Sequence, residues 1–525
     1  MSTSSTLPAV SGTPVDVDPM GAPEGGAGDG GALTHRRVLI VFSGLMLGML
    51  LAALDATIVA TALPTIVGEL GGLDNLSWVV TAYLLAQTVS TPLYGKFGDL
   101  FGRKTLFQAS IVVFLVGSVL CGLAGTLGQL IVFRALQGLG AGGLIVLAQA
   151  IIADVVSPRE RGRYQGYFGA TFGAAMLVGP LVGGLLTDHL SWRWVFYVNV
   201  PVGILALLVT SATLPANQRR QQVAIDWAGT VVLSAAISLL VLLTTWAGSE
   251  YAWGSPEIVG LGVAVVVLTA ALVLIERRAH EPALPLRLFQ RRTISVSCAV
   301  SFVVGIAMYG ASTYLPTFLQ IANGASASNS GLLLVPLMLS LVGASMLTGQ
   351  VVTRTGRYRA FPIAGMAVAS VGMFLLSTLS AGSSRLESTA FMVVIGAGLG
   401  MVMQVMVLAS QNEADPGDLG VATSTINFFR SVGGSVGVAV FGSLISSRLA
   451  HLLGNAEALG ITPEQLHRMP AAERAQTAAA FADAIGGVFL VAVPVLVAGF
   501  ALTWLLRETA LRTTSGMDRR VAFEP

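Results

Sequence analysis

The sequence predicts an all-α integral membrane protein with fourteen transmembrane helices. Three observations predict it. The 525 residues are 54% hydrophobic and only 11% charged, where soluble domains carry about 25% charge. Apolar runs of about 20 residues, the length a helix needs to cross a bilayer, recur along nearly the whole chain. The charges that remain gather in the links between those runs.

Residues 1–35 are rich in Ser, Thr, Pro and Gly and cannot bury a core, so they read as a disordered tail. No basic stretch precedes a short apolar core there, so the tail does not read as a cleavable signal. Candidate helices follow at about 37–66, 76–96, 104–124, 128–152, 164–187, 192–214, 226–246, 257–276, 294–320, 328–350, 360–380, 387–410, 421–446 and 484–506. Between the second and third lies Gly95–Lys104, in which Lys96, Asp99, Arg103 and Lys104 are charged while the flanking runs 77–94 and 105–123 carry no charge. A glycine-paced, charged link of this kind must face water.

Orientation follows from the basic residues, which favour the cytoplasmic side. One side collects Arg36, Arg37, Lys96, Arg103, Lys104, Arg159, Arg161, Arg163, Arg219, Arg220, the arginines between 277 and 292, Arg354, Arg357, Arg359 and the C-terminal arginines. The other holds only Arg193, Arg385, Arg448, Arg468 and Arg474. Both termini are therefore expected in the cytoplasm. The long outer segment 448–483 contains Pro463, Pro470 and an Ala471–Ala480 run that reads as a short surface helix.

The chain also repeats itself. Leu63-Pro64-Thr65 returns as Leu315-Pro316-Thr317, and Gly95, Gly102 and Arg103 return as Gly349, Gly356 and Arg357 with the same internal spacing and nearly the same offset. Eight helices separate the copies. Six make one repeat, so the seventh and eighth read as an insertion. The expected division is a bundle over 36–215, an inserted pair over 216–280, a second bundle over 281–510 and a tail over 511–525. Parallel repeats of this kind place a substrate site at their interface near the membrane midplane.

Several function classes are excluded. No P-loop is present, so ATP is not the energy source, and no enzyme signature is found. Cys121 and Cys298 fall inside apolar spans and read as small buried hydrophobes. His35, His189, His280, His451 and His467 all lie at or outside span ends, so no intramembrane metal site is expected. No basic patch with interleaved aromatics points to nucleic acid. Lys96 and Lys104 are the only lysines, an Arg- and Ala-heavy usage that points to a high-GC bacterium.

The helices carry, in order, Leu54-Asp55-Ala56-Thr57-Ile58-Val59 with Ala62-Leu63-Pro64, Gly95–Lys104, Arg134-Ala135-Leu136-Gln137-Gly138 with Gly140 and Gly143, Gly173 with Gly179-Pro180-Leu181-Val182-Gly183-Gly184, Trp192-Arg193-Trp194 with Asn199 and Pro201, Asp226-Trp227-Ala228-Gly229, and Arg430 with Gly433, Gly434 and Gly437. Together these motifs resemble the major facilitator superfamily, and within it the fourteen-span drug:proton antiporters of the EmrB/QacA type. Each is short and weak alone, but their order on the helices is specific. The chain departs from the pattern at Ala60, where Asn is usual, at Thr353, where an Asp would complete the second glycine-paced link, and at Glu413. It also lacks the acid in the middle of the tenth helix that some relatives use for dicationic substrates.

Asp55 is the sole charge in the run 45–63. A carboxylate in the bilayer costs roughly 2.5–3.5 kcal/mol on insertion scales, and desolvation favours its neutral form, so it can exchange a proton. The alternative is a buried Asp capping a break in the first helix, bonded to Thr57 or Thr61. Arg134 stays ionised and must find a partner, and the resemblance implies a role for it in proton transfer. The alternative is a structural tie between helices. Gln137 lies one turn on, within reach of either.

The resemblance marks Gly173, Gly179, Pro180, Gly183 and Gly184 as an antiporter hinge, for which close packing of small residues is the plain reading. Asp226 reads as a helix cap, Glu413 and Asp415 as solvated loop acids, and Arg430 as either cavity-facing or anchored near the surface. Candidate substrate contacts are Tyr83, Gln87, Gln137, Tyr309, Tyr314, Gln404, Phe428 and Phe429, with Met401, Met403 and Met406 as a pliable surface. By the resemblance, Asp99 and Arg103, framed by Gly95, Gly102 and Lys104, lock the outward-facing state through contacts with the other bundle.

The expected function is export of a small hydrophobic or amphipathic compound in exchange for protons across a bacterial cytoplasmic membrane, with the proton gradient in place of a cofactor. Two alternatives stay open: a dedicated exporter of one metabolite, antibiotic or lipid, and a membrane sensor or scaffold that has lost transport.

Overall fold

The structure is a computed structural model describing residues 35–70, 76–214, 226–248, 250–279, 281–321, 333–453 and 469–511. Nearly all of the expected N-terminal tail, residues 454–468 of the outer loop 448–483 and most of the C-terminal tail lie outside these residues. Among the described residues there is no β-strand, and fourteen long helices follow one another: α1 (His35–Leu70), α2 (Leu76–Phe101), α3 (Arg103–Gly122), α4 (Leu127–Val155), α5 (Pro158–His189), α6 (Trp194–Thr213, broken at Val198), α7 (Trp227–Trp246), α8 (Pro256–Glu276), α9 (Arg292–Ile321), α10 (Val335–Thr355), α11 (Ala360–Ser377), α12 (Arg385–Glu413), α13 (Leu419–Leu453) and α14 (Ala471–Thr503).

Thirteen of them are long and apolar enough to cross a membrane. The other is α2, 26 residues long. Thr81, Gln87, Thr88, Ser90 and Thr91 dilute its hydropathy, and it is packed between α4, α13 and α7.

The packing repeats at an interval of eight helices. In the first half α1 packs on α5 and α6, and α4 on α2 and α3; in the second half α9 packs on α13 and α14, and α12 on α10 and α11. Each half has its own buried apolar core, around Leu45, Phe107, Phe114 and Phe168 in one and Phe318, Met366, Met373 and Phe489 in the other. The halves meet along α5–α10 and α2–α13. The pair α7–α8 sits outside, with α7 touching α2 and α13. Val259, Val263, Val266 and Val267 of α8 are exposed although α8 is the most hydrophobic span. Lipid is the solvent that suits such a face.

Two details differ from the sequence-based expectation. The sixth helix opens at Trp194 rather than Trp192, because the Trp192 indole turns back to donate to Glu69 Oε2 at 2.8 Å. The Ala471–Ala480 run is not a separate surface helix. It is the first part of α14, which continues unbroken through Pro494 and already buries Thr477, Ala478 and Ala480–Ala482.

Candidate functional site

Asp55 is completely buried in α1. Three N–H donors from two other helices converge on its carboxylate. Arg134 Nη1 of α4 donates to Oδ2 at 2.6 Å, Gln137 Nε2 donates to Oδ1 at 2.7 Å, and Asn199 Nδ2 of α6 donates to Oδ1 at 3.1 Å. The local causes are plain. Arg134 and Gln137 are one turn apart and share a face, while the break at Val198 delivers Asn199 at the start of the next helical segment. Arg134 also donates to Gln137 Oε1 at 2.9 Å, and its guanidinium lies 4.0 Å from the Tyr83 ring centroid. A buried pair gains from such added hydrogen bonds, because Coulomb attraction alone seldom repays desolvation. Gly138 makes room for this: a Cβ there would stand 3.0 Å from Tyr83 Cα.

A second constellation closes the end of the molecule that carries the α2–α3 link, called here the basic end. Gly102, with φ +97°, needs a residue without a Cβ and lets α3 begin abruptly. Arg103, the first residue of α3, is paired with Asp99 and lies 2.5 Å from Asp154 Oδ2 at the end of α4. The other face of the Asp99 carboxylate accepts from Gly420 N at 3.1 Å and Val421 N at 3.0 Å. These are unbonded N–H groups in the first turn of α13, where the helix dipole favours an anion. Gly95 packs directly on Gly420 and Ser424. Lys104 instead ties its own bundle together, donating to the carbonyls of Ser211 and Leu214 at the end of α6. Lys96 pairs with Glu281 at 2.7 Å.

The opposite crossing, α5 on α10, uses a neutral version of the same contact. Thr353 Oγ1 accepts from Arg163 N at 3.1 Å near the start of α5, and Arg159 donates to the carbonyls of Thr353 and Arg354, both at 3.2 Å. Backbones touch here, at Gly162 and Gly349.

The sequence model of the Major Facilitator Superfamily matches residues 45–438, which hold both constellations. The chain belongs to this superfamily. It is 47% identical over 500 residues to an uncharacterized MFS-type transporter of Mycobacterium tuberculosis, covering 94% of this chain and 73% of that one. It is 40% identical over 418 residues to the multidrug transporter protein MdtP of Bacillus subtilis, covering 80% and 77%. With multidrug resistance protein 3 of the same organism it shares 37% identity over 416 residues, 79% and 81% of the two chains. Among solved structures it resembles the proton:xylose symporter XylE, with TM-score 0.62 and 14% identity over 93% of this chain and all of that one. That likeness speaks for the fold alone. The protein is a multi-pass membrane transporter of the superfamily.

In this superfamily member the residues expected to form the hinge divide by partner. Gly173 packs on Val342 of α10 in the other bundle, whereas Gly179 and Gly183 pack on Thr57, Ile58 and Thr61 of α1 in their own. A Cβ on Gly184 would meet nothing within 4 Å. The close crossing is made instead by Gly162, Gly166, Gly169 and Gly173, one stripe at helical spacing facing α10. Helix α5 runs continuously through Pro180.

The expected substrate contacts do not line one cavity among the described residues. Tyr83 and Gln137 belong to the buried Asp55 cluster, since the charges there need their ring face and amide. Phe428 packs on Phe429 and on the apolar cluster that includes Leu233, Ile237 and Val241 of α7. Gln87 is half-buried on α2, and its carbonyl accepts from Ser90 and Thr91. Tyr314 donates to the Val438 carbonyl at 2.7 Å. Gln404 is buried beside Gln165 and Ser345, where α5, α10 and α12 meet, and its Oε1 has no protein partner. Only Tyr309 is open, at 38% exposure.

Asp55 bonds neither Thr57 nor Thr61, whose hydroxyls donate to backbone carbonyls. Asp226 does cap α7, accepting from Gly229 N at 2.8 Å. Arg430 is buried inside the protein, well into α13, rather than exposed at its surface. Sequence reasoning does not single out Asn199, Asp154 or Gln149 as site residues. Each is a polar side chain in or ending an apolar run, and that is the one signal the sequence offers for them.

Proposed function

We propose that this protein exports small hydrophobic or amphipathic compounds from a bacterial cell in exchange for protons, as a fourteen-span drug:proton antiporter of the cytoplasmic membrane. No cofactor beyond the proton gradient is required. The observation that carries the reading is the Asp55–Arg134 pair with its two amide donors.

In the membrane interior a salt bridge sealed from water has two stable compositions. Either the carboxylate is ionised and held by three N–H groups, or it carries a proton and releases Arg134 to its remaining partners, the Gln137 carbonyl oxygen, the Val79 carbonyl and the Tyr83 ring. One added proton therefore alters how α1, α4 and α6 are tied together. Alternating access supplies the other half. The cross-bundle contacts at the basic end support a reading in which that end is shut, and its arginines favour the cytoplasmic side, which makes the described state inward-closed in this scheme. Protonation of Asp55 from outside would favour release of the Asp99–α13 contact, inward opening, proton loss and substrate loading. The names of the Bacillus relatives support export and a broad substrate range.

Efflux of ethidium from cells making wild type or Asp55→Asn tests this, with and without an uncoupler. Wild-type efflux should stop with the uncoupler, and Asp55→Asn should lose gradient-driven efflux while still exchanging ethidium down its own gradient. Full gradient-driven efflux by Asp55→Asn would sink the coupling role.

A further inference from the structure

Arg430 lies in α13 about 17 Å along the helix from Leu419, at the depth of the bilayer core. Its side chain is nine-tenths buried, it makes no ion pair among the described residues, and its Nη1 has no partner. An arginine does not lose its proton to escape this. An unpaired charge within a membrane is costly and marks a functional site by default.

Its neighbours are arranged around that charge. Arginine can only donate, so Asn427 must turn its carbonyl oxygen to Arg430 Nη2, as it does. The Asn427 amide nitrogen is thereby aimed at Gln149 Oε1 of α4, at 2.8 Å. Gln149 is then left with its own Nε2 unpartnered and fully buried. The chain of three side chains thus ends in unused donors on both sides, and it bridges the two bundles. Tyr309, the one open residue of the expected substrate set, packs over Gly434 one turn beyond Arg430.

We propose that Arg430 is the recognition site for an anionic oxygen group, a carboxylate, sulfonate or phosphate, carried by the transported compound, with Asn427 and Gln149 holding its guanidinium in place. The assignment rests on the transport reading above, and it extends the substrate range to anionic and zwitterionic compounds. A bound anion supplies the acceptor and the countercharge that the protein withholds.

Two measurements decide it. In everted vesicles, Arg430→Gln should lower kcat/KM for 5-carboxyfluorescein by about tenfold or more while ethidium stays within about twofold, and Arg430→Lys should fall between. Equal losses for both dyes, or no loss for either, overturn the proposal. In detergent, the purified full chain with Arg430→Gln should melt above wild type, because a buried unpaired charge has been removed. Millimolar 5-carboxyfluorescein should raise the wild-type melting temperature and leave Arg430→Gln unmoved. Equal shifts in both proteins, no shift in wild type, or a shift produced only by phosphatidylglycerol, overturns the assignment to a substrate anion. A wild type that moves neither dye defeats the export reading alone, since the melting experiment judges Arg430 without transport.

Discussion

The Asp99 carboxylate of α2 accepts a hydrogen bond of 3.0 Å from the backbone N–H of Val421 in α13, joining the two bundles through a helix N-terminus. In the transport cycle proposed above, the contact serves as a gate element rather than a scaffold. It has a charge on one side only, it is completed by Gly420 N at 3.1 Å, and it is held in place by Arg103, itself braced by Asp154.

Asp99→Asn keeps the shape and removes the charge. Hydrogen bonds to a charged group contribute about 1.5–3 kcal/mol, and the amide retains part of that. The closed state should lose about 1–2 kcal/mol, a factor of 5–30 in population. Turnover in vesicles should fall several-fold with KM little changed. A large rise in KM at constant kcat would show Asp99 to be a substrate ligand instead.

Thr353 occupies the equivalent place on α10 and offers only a hydroxyl to Arg163 N. Thr353→Asp should build a second charged contact at the start of α5, adding about 0.3–1 kcal/mol to closure. Turnover should drop, and accessibility of the basic end to a thiol reagent, measured on a reporter cysteine at Ser345, should drop with it. Faster labelling would refute the symmetry argument.

Gly349→Ala acts in the opposite direction. The new methyl would strike the Gly162 carbonyl, and overpacking of this kind costs about 1–3 kcal/mol. The crossing of α5 and α10 should open, so the same reporter cysteine should label faster than in wild type.

Glu69 lies beyond the apolar span of α1, and its carboxyl is held below the usual range first by its hydrogen bond from Arg193, at 2.6 Å, and then by that from Trp192. A depressed carboxyl stabilises the fold above its unfolded value, near 4.5, and that contribution vanishes as pH falls through the lower folded value. The pair is half-exposed, so the effect is small. Glu69→Gln should melt slightly below wild type at pH 7 and level with it at pH 3. An equal gap at both pH values would mean that packing, not charge, is involved.

Much of this architecture is legible in the sequence. Asp55 and Arg134 stand out because an ionised group in an apolar run has to be explained, and the glycine spacing shared by Gly95–Arg103 and Gly349–Arg357 exposes the duplication. Asn199 is harder to see. A neutral amide breaks no hydropathy rule, and only the turn at Val198 aims it at Asp55. Tyr83 is misplaced in the substrate set for a related reason, since a tyrosine facing a cavity and one facing a buried guanidinium look the same in sequence. The hinge residues show the limit most clearly. Gly173 and Gly184 are equally small, but one meets Val342 and the other meets nothing.

What the sequence determined by itself is the set of properties that depend on composition along one dimension: the apolar spans, the basic excess on one side, the repeat, and the few charges that must be buried. Bilayer thickness and desolvation cost act on local stretches of chain, so they can be read from local stretches. Only the tertiary structure decided which buried groups meet. It paired Asp55 with Arg134 and Asn199, and it set Asp99 on the first turn of α13. Among the described residues it also left Arg430 without a countercharge. Hydrogen bonds and ion pairs act over about 3 Å between residues far apart in sequence, and that distance exists only once the helices are packed.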